Sequence, residues 1–188
     1  MKQLSIYLAG SIKKGDTDVK QTSYWTQVEE ERIRICFGDN FQVSLINPAT
    51  YPLSRADPFG NFGGDMYLVR ESDFIFVDAR GKKGLGVGAE MMAAKYYQIP
   101  VVCLCTHDSY YRKRFLANVC GEDLYNWTHP FIASLSDYIA DTIEDAVSWM
   151  IGHVKRPAPI KNLSVVDTLI EYYIGTQTDY RNNQEKEG

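Results

Sequence analysis

Short apolar runs alternate with amphipathic stretches along the first two thirds of the chain. Leu4-Ser5-Ile6-Tyr7-Leu8-Ala9, closed by Gly10, predicts a buried strand, and Phe41 to Ile46 predicts a second that ends at Asn47-Pro48. Asp73 to Asp78 and Val101 to Cys105, the latter after Pro100, predict a third and a fourth, and Phe131-Ile132-Ala133 a short fifth. Between them lie helical patterns. Ser23 to Cys36 places Trp25, Val28, Ile35 and Cys36 on one stripe, with Ser23 as cap and Glu29-Glu30-Glu31 facing outward. A short helix is expected to start near Asp65 and run through Met66, Val69 and Ser72, and another spans about Gly88 to Gln98. Ser136-Asp137 opens a third pattern with Ile139, Ile143, Val147 and Ile151 at intervals of four.

This alternation predicts an α/β fold: a doubly wound parallel sheet of about five strands with helices on both faces. It occupies residues 1–153. After the breaker Arg156-Pro157-Ala158-Pro159, residues 154–188 supply a C-terminal helix from Ser164 to Ile174, carrying Val165, Val166, Leu169, Ile170 and Tyr173, and a frayed polar tail. Two segments resist the pattern. Asn47 to Gly64, rich in proline and glycine, is expected to be a long loop of the kind that forms lids or binding surfaces. His107 to His129 mixes five aromatic residues with Arg112-Lys113-Arg114 and is expected to be a helix and loop, either covering a pocket or meeting a second subunit, or else a solvated basic face.

Composition narrows the function. With 188 residues, 45% hydrophobic, the chain can bury a core without disulfides. A net charge of -4 argues against a partner that is a nucleic-acid polymer. The cysteines (Cys36, Cys103, Cys105 and Cys120) form no CxxC pair, and the absence of a signal pattern or a membrane-length apolar run makes a cytoplasmic protein the expectation. His107, His129 and His153 have no ligand spacing, so no metal and no cofactor is expected.

The candidate chemistry centres on Gly84-Leu85-Gly86-Val87-Gly88-Ala89-Glu90, which follows the third strand and enters a helix. Glycine lets backbone approach a ligand, and a helix start attracts anions. Glu90 is expected in that helix's first turn, where it either complements the helix dipole or serves as a catalytic carboxylate. With strand order 2-1-3-4-5, ligands bind outside the carboxyl ends of the first and third strands. There the loop Gly10-Ser11-Ile12-Lys13-Lys14-Gly15-Asp16 faces the Ala79 to Gly88 loop, and Asp65 lies at the same end. Two carboxylates in one crevice fit chemistry at an anomeric carbon. Tyr7 either orients Glu90 or is a core tyrosine.

Ile6-Tyr7-Leu8-Ala9-Gly10-Ser11-Ile12, Asp65, Ser72-Asp73 and the Gly84 to Glu90 run, in this order and spacing, resemble the nucleoside 2-deoxyribosyltransferase family, which includes hydrolases of deoxynucleoside 5′-monophosphates. The resemblance covers roughly the first 105 residues. It implies a flavodoxin-like, Rossmann-like fold and cleavage of the N-glycosidic bond of a nucleoside or nucleotide. Glu90 matches the nucleophile at C1′, Tyr7 the residue that positions it, and Asp65 the aspartate near the sugar hydroxyls. Ser11 and the backbone of Gly10 and Ile12 match the phosphate loop, with Gly84, Gly86 and Gly88 lining the site. It also implies a homo-oligomer whose sites a neighbouring subunit completes, with Asn126 or Arg112 to Arg114 in that role.

One departure concerns the base. Family transferases often carry an aspartate six residues before the nucleophile, the monophosphate hydrolases a serine, and this chain has Gly84. Asp78 serves the base instead, or is a strand-end turn residue. Base exchange and hydrolysis of monophosphates are thus both open, as is a non-catalytic nucleotide sensor. A nicotinamide-dependent dehydrogenase is not expected: the glycines alternate and follow the third strand, whereas the dinucleotide fingerprint is GxGxxG after the first.

Overall fold

A computed structural model describes residues 2–12, 25–50 and 57–187, with side chains through Thr176. Five parallel strands, β1 (Lys2–Ala9), β2 (Phe41–Ile46), β3 (Phe74–Asp78), β4 (Val101–Leu104) and β7 (Tyr138–Ala140), form a sheet in the order β2-β1-β3-β4-β7. This is the doubly wound arrangement, with the strand order reversing between β1 and β3. The period-two alternation divides the core. Leu4, Ile6 and Leu8 pack toward α1 (Gln27–Phe37) and α5 (Ile143–Lys155), while Tyr7 and Ala9 pack toward α2 (Pro58–Arg70), α3 (Leu85–Tyr96) and α4 (Pro130–Leu135). A two-stranded hairpin, β5 (Arg112–Val119) and β6 (Glu122–Thr128), and a long helix, α6 (Val165–Glu187), complete the chain. No described helix is long and apolar enough to cross a membrane.

Several boundaries differ from expectation. Ser23 lies outside the described residues. The cap of α1 is Thr26, which exchanges hydrogen bonds with Glu29 in a capping box. Its buried stripe is Ile33 and Phe37; Val28 and Ile35 are 79% and 70% exposed, because the true i,i+4 pair turns them outward. Glu29 and Glu30 do not face solvent either, since their carboxylates bind Arg80 and Asn47.

The expected Asn47 to Gly64 loop is cut short by α2, which starts at Asp57-Pro58. Asp57 accepts a hydrogen bond from Phe59 N, and Pro58 occupies the first turn, where its missing N–H costs nothing. Gly60 fits close beneath that cap: a β-carbon there would stand 2.3 Å from Asp57 Oδ2. Asp65 is therefore two turns into α2 rather than at its start. Tyr51 to Ala56 lie outside the described residues.

Helix α3 likewise begins three residues early, so Glu90 is in its second turn and the first turn holds no acidic residue. His107 to His129 is the β5–β6 hairpin; the positive φ angles of Asn118, Cys120 and Gly121 turn the chain, a signal hidden among aromatic and basic residues. Phe131 to Ala133 belong to α4, whose start Pro130 provides, and the fifth strand is Tyr138–Ala140. Ile139 is thus a strand residue, and α5 begins after the Thr142 cap. Helix α6 continues well past Ile174. Cys103 and Cys105 pack fully buried as small hydrophobes.

A buried ion pair braces the far end of this layer. Lys95 of α3 binds Asp137, whose carboxylate also accepts hydrogen bonds from Val101 N at 2.7 Å and Lys161 N at 2.7 Å. The strap between α5 and α6 is thereby tied to the start of β7.

Candidate active site

Tyr7 stands on β1 opposite Ile46 of β2 and Ile75 of β3, at the point where the strand order reverses. It is completely buried. Val87, Met91 and Ala94 press one stripe of α3 onto the sheet, and Glu90 lies along the same stripe. The helix therefore carries a carboxyl group inward. The Tyr7 hydroxyl donates a 2.8 Å hydrogen bond to Glu90 Oε1. Glu90 Oε2 is buried and has no hydrogen-bond partner among the described residues.

Burial dominates the titration of Glu90 and raises its pKa to about 7; the Tyr7 bond opposes this, and the negative charge of Asp65 adds to it. Helices α2 and α3 are in contact, and the negative charge of Asp65 acts on Glu90 across them. Leu68 and Val69, one turn beyond Asp65, anchor that stretch of α2 in the core that contains Tyr7. Tyr7, Asp65 and Glu90 are thus brought together from three elements. A carboxyl group poised near neutrality, with one oxygen held by a donor and the other buried without a hydrogen-bond partner among the described residues, can act as a nucleophile toward an electron-poor carbon.

The remaining predicted residues are placed differently. Gly84 caps α3 without any side-chain hydrogen bond, and a β-carbon at Gly84, Gly86 or Gly88 would meet no atom within 4 Å. Nothing in the packing of the described residues demands these glycines. Gly10 is: a β-carbon there would come within 3.2 Å of the Trp25 ring, whose Nε1 donates to Ala9 O at 3.1 Å. Ser11 and Ile12 follow, partly exposed at the end of β1, and Lys13 to Asp16 lie outside the described residues.

Asp78 points to the opposite face of β3 from Val77, toward Trp25. Its carboxylate accepts hydrogen bonds from Arg80 Nε at 2.8 Å and Lys83 Nζ at 2.9 Å. Burial pushes its pKa up, but the two cations outweigh burial and hold it below the ordinary carboxylate range. Arg80 also binds Glu29 and lies 5.5 Å over the Trp25 ring. Asp78 thus belongs to a charged cluster that braces the Gly10 turn. Sequence reasoning missed Trp25 and Arg80 in this role, and it missed Asn61, whose signal is its position one helical turn before Asp65.

Cavities elsewhere among the described residues lie apart from this centre, and two of them border the sheet. A largely apolar one of about 330 Å³ is lined by Gly84, Gly88, Met91, Tyr111, His129 and Phe131 among others, and by none of Tyr7, Asp65 and Glu90. The Tyr111 hydroxyl accepts a 2.9 Å hydrogen bond from Lys83 N and so links the base of the hairpin to the glycine loop. A polar groove of about 670 Å³, lined by Gln3, Ser5, Gln42, Ser44 and Asp73 among others, opens near the amino ends of β1 and β2, away from the strand ends where α3 begins.

Among solved structures, a conserved protein from Enterococcus faecalis V583 is similar with a TM-score of 0.55 and 19% identity, over 80% of this chain and 99% of that one. A 2-deoxyribosyltransferase from the psychrotolerant bacterium Bacillus psychrosaccharolyticus is similar with a TM-score of 0.49 and 15% identity, over 84% of this chain and 98% of that one. No protein-family model matches the chain, and no curated protein does. The likeness to the Enterococcus protein is one of fold; the second superposition is looser and carries no weight for chemistry.

Proposed function

We propose that the chain cleaves the N-glycosidic bond of 2′-deoxynucleosides and passes the sugar to another nucleobase. The observation that carries this is the Tyr7 to Glu90 bond, which holds one carboxylate oxygen and leaves the other buried and without a hydrogen-bond partner among the described residues. The order of motifs resembling the nucleoside 2-deoxyribosyltransferase family supports it.

In this mechanism Glu90 Oε2 attacks C1′. The C1′–N bond breaks, its electron pair goes to the base nitrogen, and a glycosyl ester forms on Glu90. The departing base takes up a proton from solvent. A second base attacks C1′ through nitrogen and loses its proton, the C1′–O bond breaks, and the Glu90 carboxylate is restored. Tyr7 keeps Oε1 turned away from the reacting carbon, and Asp65 holds the sugar through its hydroxyls. Ser11 and the backbone of Gly10 and Ile12 bind the 5′ end.

A second outcome, hydrolysis of (deoxy)nucleoside 5′-monophosphates, is favoured by Gly84: no carboxylate stands at the start of α3 to serve an exchanging base. In either case the working form is a homo-oligomer. The β5–β6 hairpin, which carries Arg114 and Asn126 and packs chiefly on itself, is the segment that reaches a neighbouring site.

The test is incubation with a 2′-fluorinated deoxynucleoside and with its 5′-monophosphate, followed by intact-mass and peptide analysis. A sugar adduct on Glu90 is expected, and the substrate that yields it decides between the two outcomes. If no deoxynucleoside or monophosphate releases base while a nucleotide still raises the melting temperature, the protein is a nucleotide sensor and the enzymatic assignment falls.

A further inference from the structure

The face of α2 that meets α3 carries another polar side chain. Asn61, Asp65 and Leu68 fall at i, i+4 and i+7 on α2, so they share one stripe of the helix. Leu68 is buried in the same core as Tyr7, and α2 packs against α3, which fixes the direction in which the stripe faces. Helix α2 starts at the carboxyl end of the sheet, so Asn61 lies one turn nearer that end than Asp65. Its carboxamide oxygen is buried and has no hydrogen-bond partner among the described residues. For folding alone this is an unfavourable choice: asparagine is a poorer helix former than alanine, and a buried polar atom without a partner destabilises the folded state.

We propose that Asn61 is a substrate-binding residue whose carboxamide hydrogen-bonds a hydroxyl of the substrate's sugar, one turn further out than the part of the sugar that Asp65 serves. The assignment rests on the glycosidic-bond reading above. A carboxamide both donates and accepts, as a hydroxyl does. Being neutral, it adds no third negative charge to Asp65 and Glu90, and it supplies no cation of the kind that a phosphate would call for.

The experiment compares the wild type with Asn61→Ala on 2′-deoxyadenosine, 2′,3′-dideoxyadenosine and 2′,5′-dideoxyadenosine, and records melting temperatures. For 2′-deoxyadenosine, Asn61→Ala is expected to lower kcat/KM about tenfold. On whichever analogue lacks the hydroxyl that Asn61 holds, the variant and the wild type should be equal. The melting temperature should be unchanged or higher, because no protein partner is lost. Equal losses on all three substrates, no loss on 2′-deoxyadenosine, or a melting temperature several degrees lower would overturn the proposal. If the wild type turns over none of them, the enzymatic reading fails separately. The rise in melting temperature caused by 2′-deoxyadenosine then decides: Asn61→Ala must reduce it, and an undiminished rise, or no rise in the wild type, removes Asn61 from the site.

Discussion

Tyr7 reaches across from β1 to hold Glu90 Oε1 at 2.8 Å, which divides the two oxygens of one buried carboxyl group into a fixed one and one without a partner among the described residues. If Oε2 is the nucleophile, Glu90→Gln keeps an acceptor for Tyr7 and removes the reacting charge. Base release should fall by about 10³-fold or more. A steady-state assay of free base checks this, and near-normal turnover would rule Glu90 out.

The same substitution should reveal what the site costs the fold. Between the free-chain value of 4.5 and about 7, folded protein retains a proton on Glu90 that the unfolded chain has lost. Stability therefore falls as pH rises through that window and is flat above it. Glu90→Gln lacks this penalty. The two proteins should melt together at pH 4.5 and diverge above it, with the variant ahead at pH 8 by up to about 3 kcal/mol. Thermal melts across the pH range measure the gap, and parallel curves would mean that Glu90 is not desolvated.

Activity should follow the ionised fraction of Glu90, so kcat/KM should rise with pH through an apparent pKa near 7. The Tyr7 bond lowers that value, so Tyr7→Phe should move the rising limb to higher pH, with its deficit largest at pH 6 and smaller at pH 9. Asp65 raises the value through its charge, so Asp65→Asn should move the limb the opposite way while weakening binding. A pH profile of each variant distinguishes these directions.

The strand order was legible in the sequence because it depends on short-range signals; Asp65 and Glu90 were assigned to one end of the sheet from that order, and Tyr7 was singled out by the family resemblance. Apolar runs closed by glycine or proline mark strand ends, and in a doubly wound sheet strand ends mark the site. The helix starts were less legible. Gly60, Gly63 and Gly64 have low helix propensity, yet Leu68 and Val69 bury enough apolar surface to carry α2 through them. The early start of α3 is the same effect, with Val87 and Met91 as anchors. Asn61 was hidden by this error, since its i,i+4 relation to Asp65 exists only once the helix begins at Pro58. The hairpin was hidden because its two-residue turn, Cys120-Gly121, has cysteine rather than asparagine or aspartate at the first left-handed position, and a bulge near Asn118 interrupts the pairing before it.

Lys95 and Asp137, 0% and 4% exposed at the side chain, should show the cost of a stranded charge. Burial holds the Lys95 pKa below its ordinary value even with Asp137 beside it, so the pair is sustained by mutual contact in a dry setting. Lys95→Met leaves Asp137 with only the Val101 and Lys161 backbone donors. A loss of about 3–5 kcal/mol in denaturant unfolding is expected. A loss below about 1 kcal/mol would place the pair among surface bridges.

Gly84 offers the sharpest test of transfer against hydrolysis. It is exposed at the cap of α3, and a β-carbon there would touch nothing within 4 Å, so Gly84→Asp should fold without strain. Asp at a helix cap accepts a hydrogen bond from the first turn and favours the dipole, so stability should rise by a few tenths of a kcal/mol, about the usual difference from glycine. The new carboxylate would stand six residues before Glu90, where a base leaves or arrives in the transferase pattern. If Glu90 already forms the glycosyl intermediate, Gly84→Asp should increase the ratio of exchanged base to free sugar when two bases compete, with little change in the rate of adduct formation. An unchanged ratio would show that the acceptor is chosen elsewhere than at the start of α3.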